Sequence, residues 1–330
     1  MTMPTPLHKR VLMGALAAAL SVPAGAWAAK WDMPVRSNER NHFTQNVAIF
    51  AKDIDAATQG ELKLTIHPED SLIKQQDLKR AIQTGQVPIG EFLMSLHSNE
   101  NPIFGIDSLP FLATNLDENA KLLGVVRPYL VERLSKQGLR LLFAAPWPGN
   151  SLYSQKELNS LYDLKGTKFR AFNPVTGRLA ELVGATPVTV QQSEISQAFS
   201  TGVIDAMITS PATGIDMHVW DYVKHYTDVA AMSPWNLVVV NERIFSKLSD
   251  TQKSAVQAAA LAAEERAWKN AGAISVNLTK VLQTNGIIVK EPNDKMRKEI
   301  TALREVFIKE WLQKAGDEGT KIVEAYRSAK

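Results

Sequence analysis

Residues Leu164–Asn173 read LKGTKFRAFN. Gly166 stands two residues before a short alternating run, Lys168-Phe169-Arg170-Ala171-Phe172. Successive side chains of a strand face opposite ways. Lys168, Arg170 and Phe172 therefore share one face, and Phe169 and Ala171 the other. An arginine between aromatics at a strand end, just before the Asn173-Pro174 loop start, suits a rigid anion hook. Its planar fork of donors matches a carboxylate better than an ammonium does. A surface strand with a salt-bridged arginine fits the same ten residues, and the stretch alone leaves both readings open.

The neighbouring sequence makes this strand one of a series. A strand over 167–172, a helix over 175–183, a strand over 186–190, a helix over 193–201 and a strand over Val203–Thr209 follow one another. Upstream, Pro146-Trp147-Pro148-Gly149-Asn150 breaks the pattern and marks a crossing between lobes. An earlier series precedes it. Trp31–Val35 reads as a strand, and Asn41 as the N-cap of a helix carrying Phe43, Val47, Phe50, Ile54 and Ala57 at helical spacing. Leu62, Leu64 and Ile66 alternate as a strand, Leu72–Thr84 reads as a helix, and Val87–Ser95 as an apolar strand. This order predicts a parallel sheet covered by helices. Asn99–Asn115 reads as a loop, 117–137 as a helix and 139–145 as a strand. Leu237–Val240 is a further strand, again preceded by a Pro-Trp pair. From Ser249 to about Gln283 the chain is Ala-rich, with no proline and one glycine. That length of helix reaches across two lobes. Residues 294–328 read as one or two amphipathic helices.

The fold class that follows is α/β: two lobes around a central ligand cleft, with a long helix spanning both. The expected lobes are 29–147 plus about 236–275, and 148–235 plus about 276–330. Such folds bind small molecules at the carboxyl ends of strands, between lobes.

Composition narrows the class. The 330 residues are 45% hydrophobic and 22% charged, with a net charge of +3. Lys9 and Arg10 are the charged residues of 1–28, so the remainder carries +1. That balance points to neither nucleic acid nor an anionic membrane surface as partner. The absence of cysteine excludes disulfides, thiolate metal sites, a cysteine nucleophile and a lipid-bearing N-terminal cysteine. Residues 1–28 have the pattern of a secretory leader: a basic start, an apolar run from Val11 to Val22, then Pro23, Gly25 and an Ala26-Trp27-Ala28 cleavage site. The expectation is a periplasmic protein starting near Ala29. His67, His97, His218 and His225 lack metal-ligand spacing, and the reading calls for no metal and no cofactor. G-x-S-x-G, H-E-x-x-H and P-loop motifs are absent from the sequence. A periplasmic enzyme built from distant residues stays as the alternative.

The chain resembles the DctP-like solute-binding proteins of tripartite ATP-independent periplasmic (TRAP) transporters. The resemblance is carried by Asp163-Leu164-Lys165-Gly166-x-Lys168-x-Arg170, Gly184-Ala185-x-Pro187, Ser193-Glu194, Ala198, Gly202-x-x-Asp205 and the Asn241…Lys247-Leu248 segment. Leu109-Pro110-Phe111 and Gln59-Gly60 also match, so nearly all of the chain after the leader is covered. The resemblance implies a periplasmic-binding-protein-like fold that captures an organic-acid anion by lobe closure. Its partners are then TRAP membrane permease subunits or, as a second possibility, a sensor kinase. It also implies that Arg170 salt-bridges the substrate carboxylate and that Asn173 adds a hydrogen bond. Sialic-acid-binding members carry a second arginine where this chain has Asn150. They carry an asparagine after the strand that ends near Thr209 and Ser210, and here neither position is Asn. These departures count against sialic acid. The candidate ligand residues are thus Arg170, Asn173, Asn150, Thr209 and Ser210, with Trp147 and Trp235 as stacking or hinge aromatics. Phe92 and Ser95 join them at the end of a strand. An aromatic acid, a 2-oxo or hydroxy monocarboxylate and a sugar acid are the expected ligand types.

Overall fold

The computed structural model describes residues 1–2 and 29–329, so all but the first two residues of the expected leader lie outside the described residues. The chain opens with β1 (Ala29–Pro34), α1 (His42–Ala57) and β2 (Leu62–His67), and β1 pairs parallel to β2. Asn41 caps α1 as its spacing predicts, its Oδ1 accepting from the Phe43 N–H at 2.9 Å. The buried stripe Phe43, Val47, Phe50 and Ile54 holds α1 against the core. Next come α2 (Gln75–Thr84) and β3 (Ile89–Leu93). Gly85 ends α2 with φ 80°, a left-handed conformation that glycine adopts without penalty.

Here the structure departs from the expected parallel sheet. β3 pairs antiparallel to β10 (Trp235–Asn241), which also pairs antiparallel to β4 (Leu139–Pro146). The cause is the length and apolarity of β10. All seven of its residues are buried, so it needs a neighbour on each edge and cover on both faces. Between β3 and β4 the chain passes through a 3-10 helix at Pro102–Ser108, in the stretch read as loop, and through α3 (Leu116–Lys136).

The other lobe holds a six-stranded sheet. Its strands are β5 (Asn150–Ser154), β6 (Lys168–Ala171), β7 (Thr186–Thr189), β8 (Ala206–Thr209), β9 (His225–Met232) and β11 (Ile288–Lys290), in the order β11-β9-β5-β8-β6-β7. β6, α4 (Pro174–Leu182), β7, α5 (Ile195–Ser200) and β8 form the expected βαβ series, with β6 parallel to both β7 and β8. α6 (Pro211–Asp216) follows β8. Strands β5, β9 and β11 are additions to the sequence reading.

The chain crosses between lobes at 146–150 and at 233–235. The two crossings lie side by side, with Trp147 N–H donating to the Pro234 carbonyl at 2.8 Å. After β10 come α7 (Glu242–Phe245) and α8 (Asp250–Thr284), whose capping box pairs Ser249 with Gln252. α8 meets α1 through the Asn46–Ala263 hydrogen bond and ends beside β11, so it spans both lobes. α9 (Asp294–Ser328) starts on the second lobe, where Glu299 accepts from Ser160 Oγ and Leu161 N–H. It then crosses to the first. Trp311, Ile322, Val323 and Tyr326 pack in one core with Leu122, Trp235 and Leu237. The later part of the segment 276–330, expected in the second lobe, thus packs with β10 instead. α9 breaks at Gly316 (φ 60°, ψ −145°).

Candidate ligand-binding site

Strand β6 is an interior strand, which buries Phe169 and Arg170 on opposite faces. Arg170 is 1% exposed. Its Nε donates to the Val190 carbonyl at 3.0 Å, its guanidinium lies 5.4 Å from the Phe172 ring, and its Nη2 has no partner among the described residues. A buried guanidinium with an unused donor is costly unless an acceptor meets it.

Arg170 lines a small cavity of about 20 Å³ between the lobes, beside Phe172 and Thr213. Of the residues singled out in the sequence, Arg170, Asn150, Thr209, Ser210 and Trp147 converge here. Thr209 ends β8 and Ser210 caps α6, accepting from Thr213 N–H at 3.2 Å. Asn150 opens β5, and Trp147 sits on the first crossing, its Nε1 held by Asn236 Oδ1 at 2.8 Å. Pro234, on the second crossing, closes one wall.

Four expected residues lie elsewhere. Phe92 points to the opposite face of β3 from Leu93. It packs in the first-lobe core, edge-on to His97 at 5.0 Å, while Leu93 reaches the cavity. Trp235 is wholly buried in the same core, its Nε1 donating to Asn119 Oδ1 at 2.5 Å. Asn173 caps α4, its Oδ1 accepting from Thr176 N–H at 2.8 Å. Its Nδ2 donates to Ser95 Oγ at 2.8 Å, so the side chains of Asn173 and Ser95 tie the two lobes to each other beside the cavity.

Of the lining residues missed in the sequence, Arg36, just past β1, is the charged one. Its place, at the carboxyl end of the first strand, was the available clue. The Arg36 guanidinium lies 5.9 Å from the Trp147 ring, and its backbone N–H donates to Glu91 Oε2 at 3.4 Å. Glu91 is buried and accepts from Asn236 Nδ2. Burial pushes the Glu91 carboxyl up to about 7, and Arg36 opposes that rise. Burial, then the charge of Arg36, pulls Arg170 down to about 9, with Glu194 opposing, so Arg170 stays a cation at neutral pH. Two arginines, an amide and hydroxyls against apolar walls make a donor set for a small anion. Among the described residues no group of three or more His, Cys, Asp or Glu side chains is arranged to hold a metal.

The chain and its fold have counterparts among known proteins. DctP7, a Bordetella pertussis extracytoplasmic solute receptor that binds pyroglutamic acid, is 44% identical over 91% of this chain and all of its own, with a TM-score of 0.89. A TRAP solute-binding protein from a marine metagenome, solved with co-purified pyroglutamate, is 38% identical over 92% of this chain and 99% of its own, with a TM-score of 0.89. The sialic acid-binding periplasmic protein SiaP of Vibrio cholerae is 22% identical over 251 residues, 74% of this chain and 77% of that protein. The family model described as bacterial extracellular solute-binding protein, family 7 (DctP) matches residues 36–315. With that match running from Arg36 through the β6 motif into α9, the chain belongs to the family 7 extracellular solute-binding proteins, the DctP-like receptors of TRAP transporters.

Proposed function

We propose that the protein captures a small monocarboxylate of the pyroglutamate type in the inter-lobe cavity and presents it to TRAP permease subunits. The observation that carries this reading is Arg170: buried, charged, and with Nη2 unpaired at the cavity wall. In the reading Arg170 grips the carboxylate, Asn150, Thr209 and Ser210 address the remaining polar atoms, and Trp147 and Phe172 cover the ring. Receptors 44% and 38% identical to this chain bind pyroglutamate, a cyclic amide acid, which is outside the ligand types expected from the sequence. The sugar-acid receptors for L-gulonate and β-D-glucuronate are 19% and 21% identical and share the fold.

The proposed lobes are 29–147 with about 236–275, and 148–235 with about 276–307, the rest of α9 returning to the first lobe. The leader over 1–28 directs export to the periplasm, with cleavage beside Ala28. A thermal-shift screen of organic acids tests the ligand class, since a ligand that binds only the folded state raises the melting temperature. Pyroglutamate is expected to give a large upward shift, and no shift with it would remove it as the ligand.

A further inference from the structure

We propose that Arg36 and Arg170 are opposed cations, one on each lobe, that hold the unliganded lobes apart, and that one carboxylate bound between them draws the lobes together. The inference rests on the carboxylate reading of this cavity and adds to it a partner for the anion and a trigger for closure.

Arg36 follows β1 in the first lobe, Arg170 sits on β6 in the second, and both residues line the same cavity. Each lies over an aromatic ring of the wall, Arg36 over Trp147 at 5.9 Å and Arg170 over Phe172 at 5.4 Å. A ring's attraction for the cation uses none of the guanidinium N–H donors, which stay available to an acceptor. On Arg170 one of those donors is unpaired.

The carboxylates nearby do not bridge the lobes. Asp70 and Glu91 act on Arg36, and both belong to the first lobe, after β2 and on β3. Glu194 acts on Arg170 and belongs to the second, just before α5. Each lobe therefore keeps its own compensation whether the cleft is open or closed. What closure adds is the approach of the two cations, and Arg170 feels the charge of Arg36 in this conformation. Like charges brought into a water-poor cleft repel far more strongly than across solvent. A single negative charge between them satisfies both, whereas a neutral ligand satisfies neither. Charge selection then acts on the closing step, because an anion favours the closed state by its extra affinity for that state.

Small-angle scattering of unliganded wild type, Arg36→Gln and Arg36→Lys tests this without needing the ligand. The unliganded Arg36→Gln protein should be more compact than wild type, shifted toward the ligand-bound radius of gyration, and Arg36→Lys should match wild type. If Arg36→Gln does not fold by circular dichroism, unliganded Arg170→Gln gives the same comparison. With ligand, pyroglutamate should bind Arg36→Gln roughly 10- to 100-fold more weakly than wild type, and the neutral primary amide of pyroglutamate should fail to compact wild type. Superimposable scattering from unliganded wild type and the charge-removing variant would overturn the opposed-cation proposal. If pyroglutamate still bound wild type tightly, the receptor reading would survive that result. Failure of wild type to bind pyroglutamate would instead strike the ligand reading and leave the unliganded comparison intact.

Discussion

A buried ionisable side chain reports on its surroundings through what it lacks. Asp107 is 5% exposed; its Oδ2 accepts from Trp235 N–H at 2.7 Å, while its Oδ1 meets no hydrogen-bond partner among the described residues. Burial therefore lifts its carboxyl from an ordinary 3.8 to about 7. The folded protein holds a proton there that the unfolded chain releases. Stability from this group is fully present below about pH 4 and is lost as pH rises through about 7. Asp107→Asn should cancel that loss, gaining on the order of 4 kcal/mol at pH 8 and little at pH 4. Denaturant titration at the two pH values reads the difference, and an equal effect at both would refute it. Arg170 was legible from sequence because strand alternation and the motif around it agree. Arg36 was not, because a lone arginine after a strand looks like any solvated end until Trp147 and Glu91 are placed around it. Phe92 shows the opposite error: a shift of one residue along a strand reverses the face, and Leu93 is the residue that meets the cavity.

Elements were legible where their period is local. The cap of α1, the βαβ series around β6, and α8 with its Ser249 cap all lie close to where the spacing puts them. Partners of strands were not legible, because β10 enters between β3 and β4 from far along the chain. β5 escaped because NSLYS is polar by composition, yet all five residues are buried. Asn173 joins two elements. It caps α4 and reaches Ser95 across the cleft. Asn173→Ala should lower stability by about 1–2 kcal/mol, from the lost cap and a buried hydroxyl left short of a partner. Chemical denaturation measures it, and an unchanged midpoint would show that neither bond contributes.

At the scale of the molecule, side-chain bonds join the lobes at two places: Ser95 with Asn173, and Asn41 Nδ2 with Asp216 Oδ2 at 2.7 Å. The two-lobe division was legible from the repeated α/β order and the Pro-Trp crossings, whereas the return of α9 to the first lobe depended on packing of Trp311 and Tyr326 that no local pattern encodes. Export predicts that periplasmic protein begins within a few residues of Ala29 by N-terminal sequencing; an intact Met1 on that protein would refute cleavage. Closure predicts a smaller radius of gyration with pyroglutamate than without it. The central claim is that a ligand carboxylate is held by Arg170 in a cleft that excludes water. Removing one partner of a buried charge pair costs roughly 3–5 kcal/mol, a loss in affinity of about 150-fold or more. Arg170→Lys should recover only part of it, because a point charge cannot reproduce a two-pronged contact. The most direct measurement is calorimetric titration of pyroglutamate into wild type, Arg170→Lys and Arg170→Ala, each folded by circular dichroism. The account predicts affinities falling in that order by the stated amount, and an Arg170→Ala protein binding within about threefold of wild type, well under 1 kcal/mol, would contradict it.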